Sequence, residues 1–366
     1  MGYRYIQLLQ GEIKMYLLKM NIEELLEESE ILRYNVESKK NYQRPPIPAH
    51  YRKIANYLLN SDNPIMPTAI LAAVGNDSII DANGELRFTN KIRIVDGQHR
   101  IMGMECLNNG YTKFSSKRYE ELKNSYDFPV VLMVIEEKDS MVEVDAFINI
   151  NSKGQRVKTD LAEALKSQKF FKMHENEEKI SVSEEYRNAI AMNVASDINE
   201  SNLFWKGLII QPDELGKRNV QPISILAFMR AIRPMIDKLI SPRKELSKEE
   251  QLDIEECSEN LITEAWECVM VKWPQCFKNE KRVFDPGYNI CKGIGVVAIF
   301  SILADTLNTE DSINSFREIL NDSRVNDSDW IVGGNFTGFA SQQGFAKIKE
   351  YILNKITKEE LLHFGG

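Results

Sequence analysis

In Asp96-Gly97-Gln98-His99-Arg100 a carboxylate, an amide, an imidazole and a guanidinium surround one glycine. Arg100 carries a fixed, always charged fork that suits phosphate oxygens. His99 can donate to a phosphate or move a proton near neutral pH. Asp96 has three uses open to it: accepting from Arg100, orienting His99, or helping to hold a magnesium ion that arrives on a nucleotide. Gln98 adds an uncharged donor, and Gly97 lets a ligand approach the backbone with no Cβ in the way. Such a set can bind phosphate and, with Asp96, His99 and Arg100 as the acting groups, can support hydrolysis. A plainer reading stands beside it: Asp96 caps a helix, Arg100 pairs back to it at i,i+4, and His99 is a surface histidine.

The second cluster is Phe147-Ile148-Asn149-Ile150-Asn151-Ser152-Lys153-Gly154-Gln155-Arg156-Val157. Apolar alternation there runs into short amides, a lysine and a glycine, so Asn149, Asn151 and Lys153 can complete a phosphate or sugar site. Alternatively the two asparagines shape an Asx turn. Arg44, alone on the loop Asn41-Tyr42-Gln43-Arg44-Pro45-Pro46-Ile47-Pro48, is a further phosphate candidate or a solvated arginine.

These residues need a frame. Lys91–Val95 reads as a strand that Asp96-Gly97 breaks. From Gln98 a helical period runs through Ile101, Met104 and Leu107 until Asn108-Asn109-Gly110 stops it. A strand, a turn and a helix in that order present the free N–H groups and positive dipole end of the helix to an anion. Further strands are expected at Tyr3–Leu9, Ile13–Met20, Ala69–Val74 and Phe128–Ile135, with a short helix at Asn21–Glu28 and another opened by Pro48. The excursion around Asp81-Ala82-Asn83-Gly84 is turn-rich. After Thr159 helical periods dominate, at Asp160–Phe171, Val220–Leu239, Lys248–Val271, Gly293–Leu307 and Ile313–Leu320. The expected class is α/β of the α+β kind: a small mixed sheet with helices in a domain over 1–158, then a mainly helical domain over 159–366.

Composition narrows the field. Hydrophobic residues at 43% and charged residues at 27% describe an ordinary globular chain rather than a disordered one. A net charge of −8 argues against coating nucleic acid by bulk attraction. Residues 38–170, however, hold 19 Lys and Arg against 16 Asp and Glu, a local +3 that leaves −11 for the remainder. A local polyanion site in the first half is therefore permitted. Five scattered cysteines without a CxxC pair argue against a disulfide framework or a zinc site, and fit a reduced, cytoplasmic protein. No apolar stretch has the length of a membrane span, and Met1–Met20 is too charged for a signal peptide.

With these residues in view, the chain resembles the DGQHR-domain family, the group that includes the DndB proteins of bacterial DNA phosphorothioation systems. The pentapeptide matches in full. Asn41-Tyr42-Gln43-Arg44 with the helix after Pro48, Pro67 before a central strand, and Phe147–Val157 support it, and the glycine-rich Gly333–Gly344 does so loosely.

The family in turn resembles the ParB/sulfiredoxin fold, in which a glycine-containing turn ahead of a helix binds nucleotide phosphates. Carried over, the resemblance implies that Gly97, His99 and Arg100 face the phosphates of ATP or another NTP with Mg2+, with Asn149, Asn151 and Lys153 nearby. Its implied activity is ATP hydrolysis supporting DNA modification, with DNA and DNA-modification enzymes as partners, while the sequence leaves the oligomeric state open, a homo-oligomer included. It equally allows a non-catalytic DNA-binding repressor of the modification operon, with Lys153, Arg156, Lys158, Lys217 and Arg218 on DNA phosphates. A ParB-like nuclease ranks third, since no carboxylate cluster for two metal ions is evident. Gln98 stands where sulfiredoxin has its cysteine, which argues against sulfinic-acid repair, and there is no GxxxxGK[ST] P-loop.

Overall fold

A computed structural model describes residues 2–34, 41–43, 45–110, 112–136, 140–153, 159–212, 214, 220–278, 283–307, 309 and 311–364. They form two compact units, Met1–Lys158 and Thr159–Gly366, each with its own core.

The first unit opens with the hairpin β1 (Tyr3–Gln10) and β2 (Ile13–Asn21), then α1 (Ile22–Glu28) and the two-residue β3 (Ser29–Glu30). Asn21 starts α1 with a capping box, its side chain accepting from Glu24 N–H while Glu24 answers the Asn21 N–H. Next come α2 (Pro48–Asn60), β4 (Ile70–Gly75), the hairpin β5 (Ile79–Ala82) and β6 (Glu85–Phe88), and β7 (Ile92–Asp96). The unit finishes with α3 (Gln98–Asn108), α4 (Ser115–Leu122), β8 (Asp127–Ile135) and α5 (Ser140–Lys153). The expected class is what the structure has, a mixed sheet with helices. Its strand order is β3-β7-β4-β8-β2-β1-β6-β5, parallel at β3/β7 and β4/β8 and antiparallel elsewhere.

Every second side chain of the central strands is buried on one face: Tyr16, Leu18 and Met20; Ile70, Ala72 and Val74; Ile92 and Ile94; Phe128, Val130 and Leu132. Leu25, Ala55, Leu58, Ile101, Met104 and Leu107 from α1, α2 and α3 complete that core. The crossing of α2 and α3 is close because Gly103 has no side chain: a Cβ there would stand 2.7 Å from Ile54 Cγ2. α5 lies against β7 and β8.

The second unit is helical: α6 (Thr159–Met173), α7 (Glu184–Ser201), α8 (Ile225–Ile240), α9 (Lys248–Lys272), α10 (Gly293–Thr306), α11 (Ser312–Asp322), α12 (Gln342–Ile352) and α13 (Lys358–Phe364). Trp205 packs on Phe228 and Trp266, with ring centroids 5.0 and 4.9 Å apart, and Trp266 meets Phe300.

Two expectations change. The helix expected from Val220 begins at Ile225, because Ile223-Ser224 pairs in parallel with Ile209-Ile210 and the Ser224 hydroxyl accepts from Ala227 N–H. Residues 147–153 do not run extended into an Asx turn, since α5 continues through Lys153, and 154–157 lie outside the described residues. Val144 and Phe147 are buried while Asn149 and Ile150 are exposed, which is a helical rather than an alternating pattern.

Candidate functional site at the Asp96–Arg100 turn

β7 delivers Asp96 to the sheet edge, and Gly97 turns the chain into α3 with φ 111° and ψ 6°. A side chain is disfavoured there twice over. The dihedral is left-handed, and a Cβ would stand 3.1 Å from Arg100 Nη2 and 3.3 Å from Ile70 Cγ1. No side chain caps α3, and its first turn holds no acid. The positive end of its dipole is thus uncancelled by its own residues.

Arg100 is committed to the protein. Its Nη1 donates to Thr68 O and, at 2.8 Å, to Thr68 Oγ1. Its Nη2 donates to Ala69 O at 2.9 Å and to Asp96 Oδ2 at 3.2 Å. The side chain is only 12% exposed, while that of Asp96 is 39% exposed. Burial lowers the guanidinium's pKa and the neighbouring Asp96 pulls it back up. The i,i+4 pair from the plainer reading therefore exists, though Asp96 does not cap the helix. Arg100 also fastens the residues entering β4 to the start of α3.

His99 Nε2 accepts from the Ile47 backbone N–H at 3.0 Å, which puts the ring's own proton on Nδ1. Its ring also meets that of His50 edge-on, with centroids 5.3 Å apart. The neighbouring Gln98 has a buried amide oxygen with no hydrogen-bond partner.

A charged group lies under the motif Asn41-Tyr42-Gln43. Glu143 of α5 is buried, receives Arg93 Nε and Nη2 at 3.0 and 2.8 Å, and accepts from the Tyr42 hydroxyl. Burial first, then the Glu143 charge, hold the Tyr42 phenol well above its ordinary range. Gln43 next to it is fully buried with both amide atoms unpartnered. Sequence reasoning did not single out Glu143 or Arg93. The available signal was Arg93 itself, a charge inside the apolar strand Ile92-Arg93-Ile94-Val95, which demands a buried counter-ion.

The remaining candidates do not converge on the turn in what is described. Asn149 is exposed on α5. Asn151 and Lys153 continue that helix, and their side chains lie outside the described residues, as do Arg44, Arg156, Lys158, Lys217 and Arg218. Among the described residues no group of three His, Cys, Asp or Glu could hold a metal ion, and no helix is long and apolar enough to cross a membrane. All five cysteines are free. A groove on α9 is lined by Asp253, Glu256, Cys257, Asn260, Leu261 and Glu264, whose three carboxylates have the wrong sign for a phosphate.

No curated protein and no solved structure matches the chain, so the ParB/sulfiredoxin comparison goes no further than resemblance. The family model for DndB, described as DNA-sulfur modification-associated, matches residues 3–331 and so spans most of both units. The chain belongs to the DndB family and is a protein of a DNA-sulfur modification system.

Proposed function

We propose that this protein binds ATP, or another NTP, with Mg2+ at the Asp96–Arg100 turn and hydrolyses it in support of DNA modification. One observation carries the reading: an uncapped helix start behind a left-handed glycine, with a part-exposed carboxylate beside it. The dipole end and Gly97 receive phosphate, and Asp96 is the residue placed to share a nucleotide's magnesium. Arg100 reaches phosphate only by leaving Thr68 and Ala69, so turnover requires that the turn rearrange when nucleotide binds. The test is magnesium-dependent phosphate release from ATP, CTP and GTP by the wild-type protein and an Asp96→Asn variant. Release lost in the variant supports the proposal; no release from any nucleotide, together with no binding by calorimetry, overturns it.

A second reading is favoured by the same Arg100 and His99 bonds. Groups already engaged by Thr68, Ala69 and Ile47 suit a scaffold better than a catalyst. On that reading the protein is a non-catalytic, DNA-binding regulator of the modification operon, with Lys153, Arg156, Lys158, Lys217 and Arg218 on the phosphates. Gel shifts on the operon promoter across a salt series discriminate, because phosphate contacts make affinity fall steeply with salt. The nuclease reading gains no support from the described residues.

A further inference from the structure

The sheet of the first unit has an open stretch of edge. β1 pairs with β2 along Tyr5–Gln10, but on its other side β6 reaches only Tyr3 and Arg4. Among the described residues no strand pairs with that side of Ile6-Gln7-Leu8-Leu9-Gln10. The hairpin also projects, since β8 pairs with β2 only from Met15 onward and leaves Ile13 and Lys14 beyond its reach. Ile6, Leu8 and Leu9 are 61%, 40% and 70% exposed. An edge of this kind normally carries a lysine, a proline or a bulge that prevents pairing, and this stretch has no charge and no proline.

We propose that this edge is the dimer interface of the protein, with β1 of a second copy added antiparallel across a two-fold axis at Leu8. The register follows from the edge itself. The Asn83-Gly84 turn and β6 occupy the place beside Tyr3–Tyr5, so the ladder starts at Ile6 in both copies. Two strands that each offer Ile6–Gln10 overlap fully only when Leu8 faces Leu8, Gln7 faces Leu9 and Ile6 faces Gln10. One face of the joined sheet then carries the apolar row Ile6, Leu8, Leu8, Ile6, and the other brings the two Leu9 side chains onto a diagonal. No charge opposes a like charge along the ladder. The ladder ends at Gln10 in each copy, short of Arg4, which already faces Glu85 of β6. A two-fold arrangement makes each contact twice, and this self-complementarity is what favours a second copy over an unrelated strand.

Sedimentation velocity of the full chain over a concentration series tests the interface. Wild type should pass from monomer to dimer. Leu8→Lys, which puts like charges face to face on the axis without touching the core, should raise the dissociation constant by ~10-fold or more with an unchanged thermal melt. A strictly monomeric wild type, or a Leu8→Lys variant that dimerises like wild type, would overturn the proposal. Leu8→Cys supplies an independent readout. Facing residues of an antiparallel pair are about 4.5–5.5 Å apart at Cα, within disulfide span. In a Cys257→Ser background, which removes the exposed native thiol, mild oxidation should therefore link Leu8→Cys chains covalently, while the Cys257→Ser parent and the exposed control Ile65→Cys stay unlinked. Dimers that fail to link through Cys at position 8 would place the interface elsewhere.

Discussion

His99 Nε2 and the backbone nitrogen of Ile47 stand 3.0 Å apart, so the imidazole of the pentapeptide holds the residue that caps α2. Ile47 has no side-chain cap to offer, and Pro48 supplies no N–H. Removing the ring leaves a part-buried donor unpaired. His99→Ala should therefore destabilise the first unit by about 1–2 kcal/mol in urea denaturation without any nucleotide present. A purely ligand-facing histidine would give no change.

Arg100 makes a sharper test of architecture against binding. Lysine keeps the charge but cannot reach Thr68, Ala69 and Asp96 from one planar head. Arg100→Lys is expected to lose about 1–3 kcal/mol of stability by chemical denaturation in the apo protein. If the loss appears only when ATP is present, the bonds to β4 are incidental and the guanidinium serves ligand.

Gly97→Ala meets both the left-handed dihedral and the contacts with Arg100 and Ile70. The cost should be about 1–3 kcal/mol, larger than for alanine at Gly11, where a Cβ meets nothing within 4 Å and only the dihedral is strained. Paired thermal melts of the two variants would show it.

Breaking the group under the motif should be costly in an unequal way. Glu143→Gln strands Arg93 and is expected to cost about 2 kcal/mol, less than the ~3–5 of a fully buried pair because Arg93 still reaches solvent. Tyr42→Phe removes one hydrogen bond, about 1 kcal/mol. The double variant should fall short of the sum, since both changes act on one carboxylate.

Alkaline pH should unfold the protein through its buried phenols. Burial, with Glu255 and Glu250 adding to it, pushes Tyr186 up to about 12, and Tyr42 moves in the same direction. The folded state thus favours the neutral phenol. Its contribution is complete below the ordinary tyrosine pKa of about 10 and is lost as pH rises from there through about 12 for Tyr186. Tyr186→Phe should flatten the fall in stability measured between those pH values.

Local signals in the sequence were sufficient for the strand at Lys91–Val95, the left-handed glycine and the helix from Gln98 to Asn108, since each depends on neighbours in the chain. α7 was not legible because it is buried nearly all round, at Tyr186, Ala189, Ile190, Ala191, Met192, Val194, Ala195 and Ile198, and leaves no polar stripe to set a period. Beyond Asp96, the partners of Arg100 lie 31 and 32 residues away, and Glu143 lies 50 from Arg93, so only the assembled sheet brings them together. The pentapeptide was visible as chemistry, whereas its use in holding β4 and α2 was not.

The position of β8 has a consequence for how the protein is made. The last strand of the first unit sits in its middle, parallel to β4 on one side and antiparallel to β2 on the other. While synthesis has not passed Ile135, β2 and β4 share no neighbour, and their inner edges stay open as the helices emerge. Joining the two halves of this sheet must therefore await its final strand, which closes a loop of over 100 residues onto β2. Chain order and spatial order are opposed here, so the contacts that close the sheet are the most distant in the chain, the kind that slows folding.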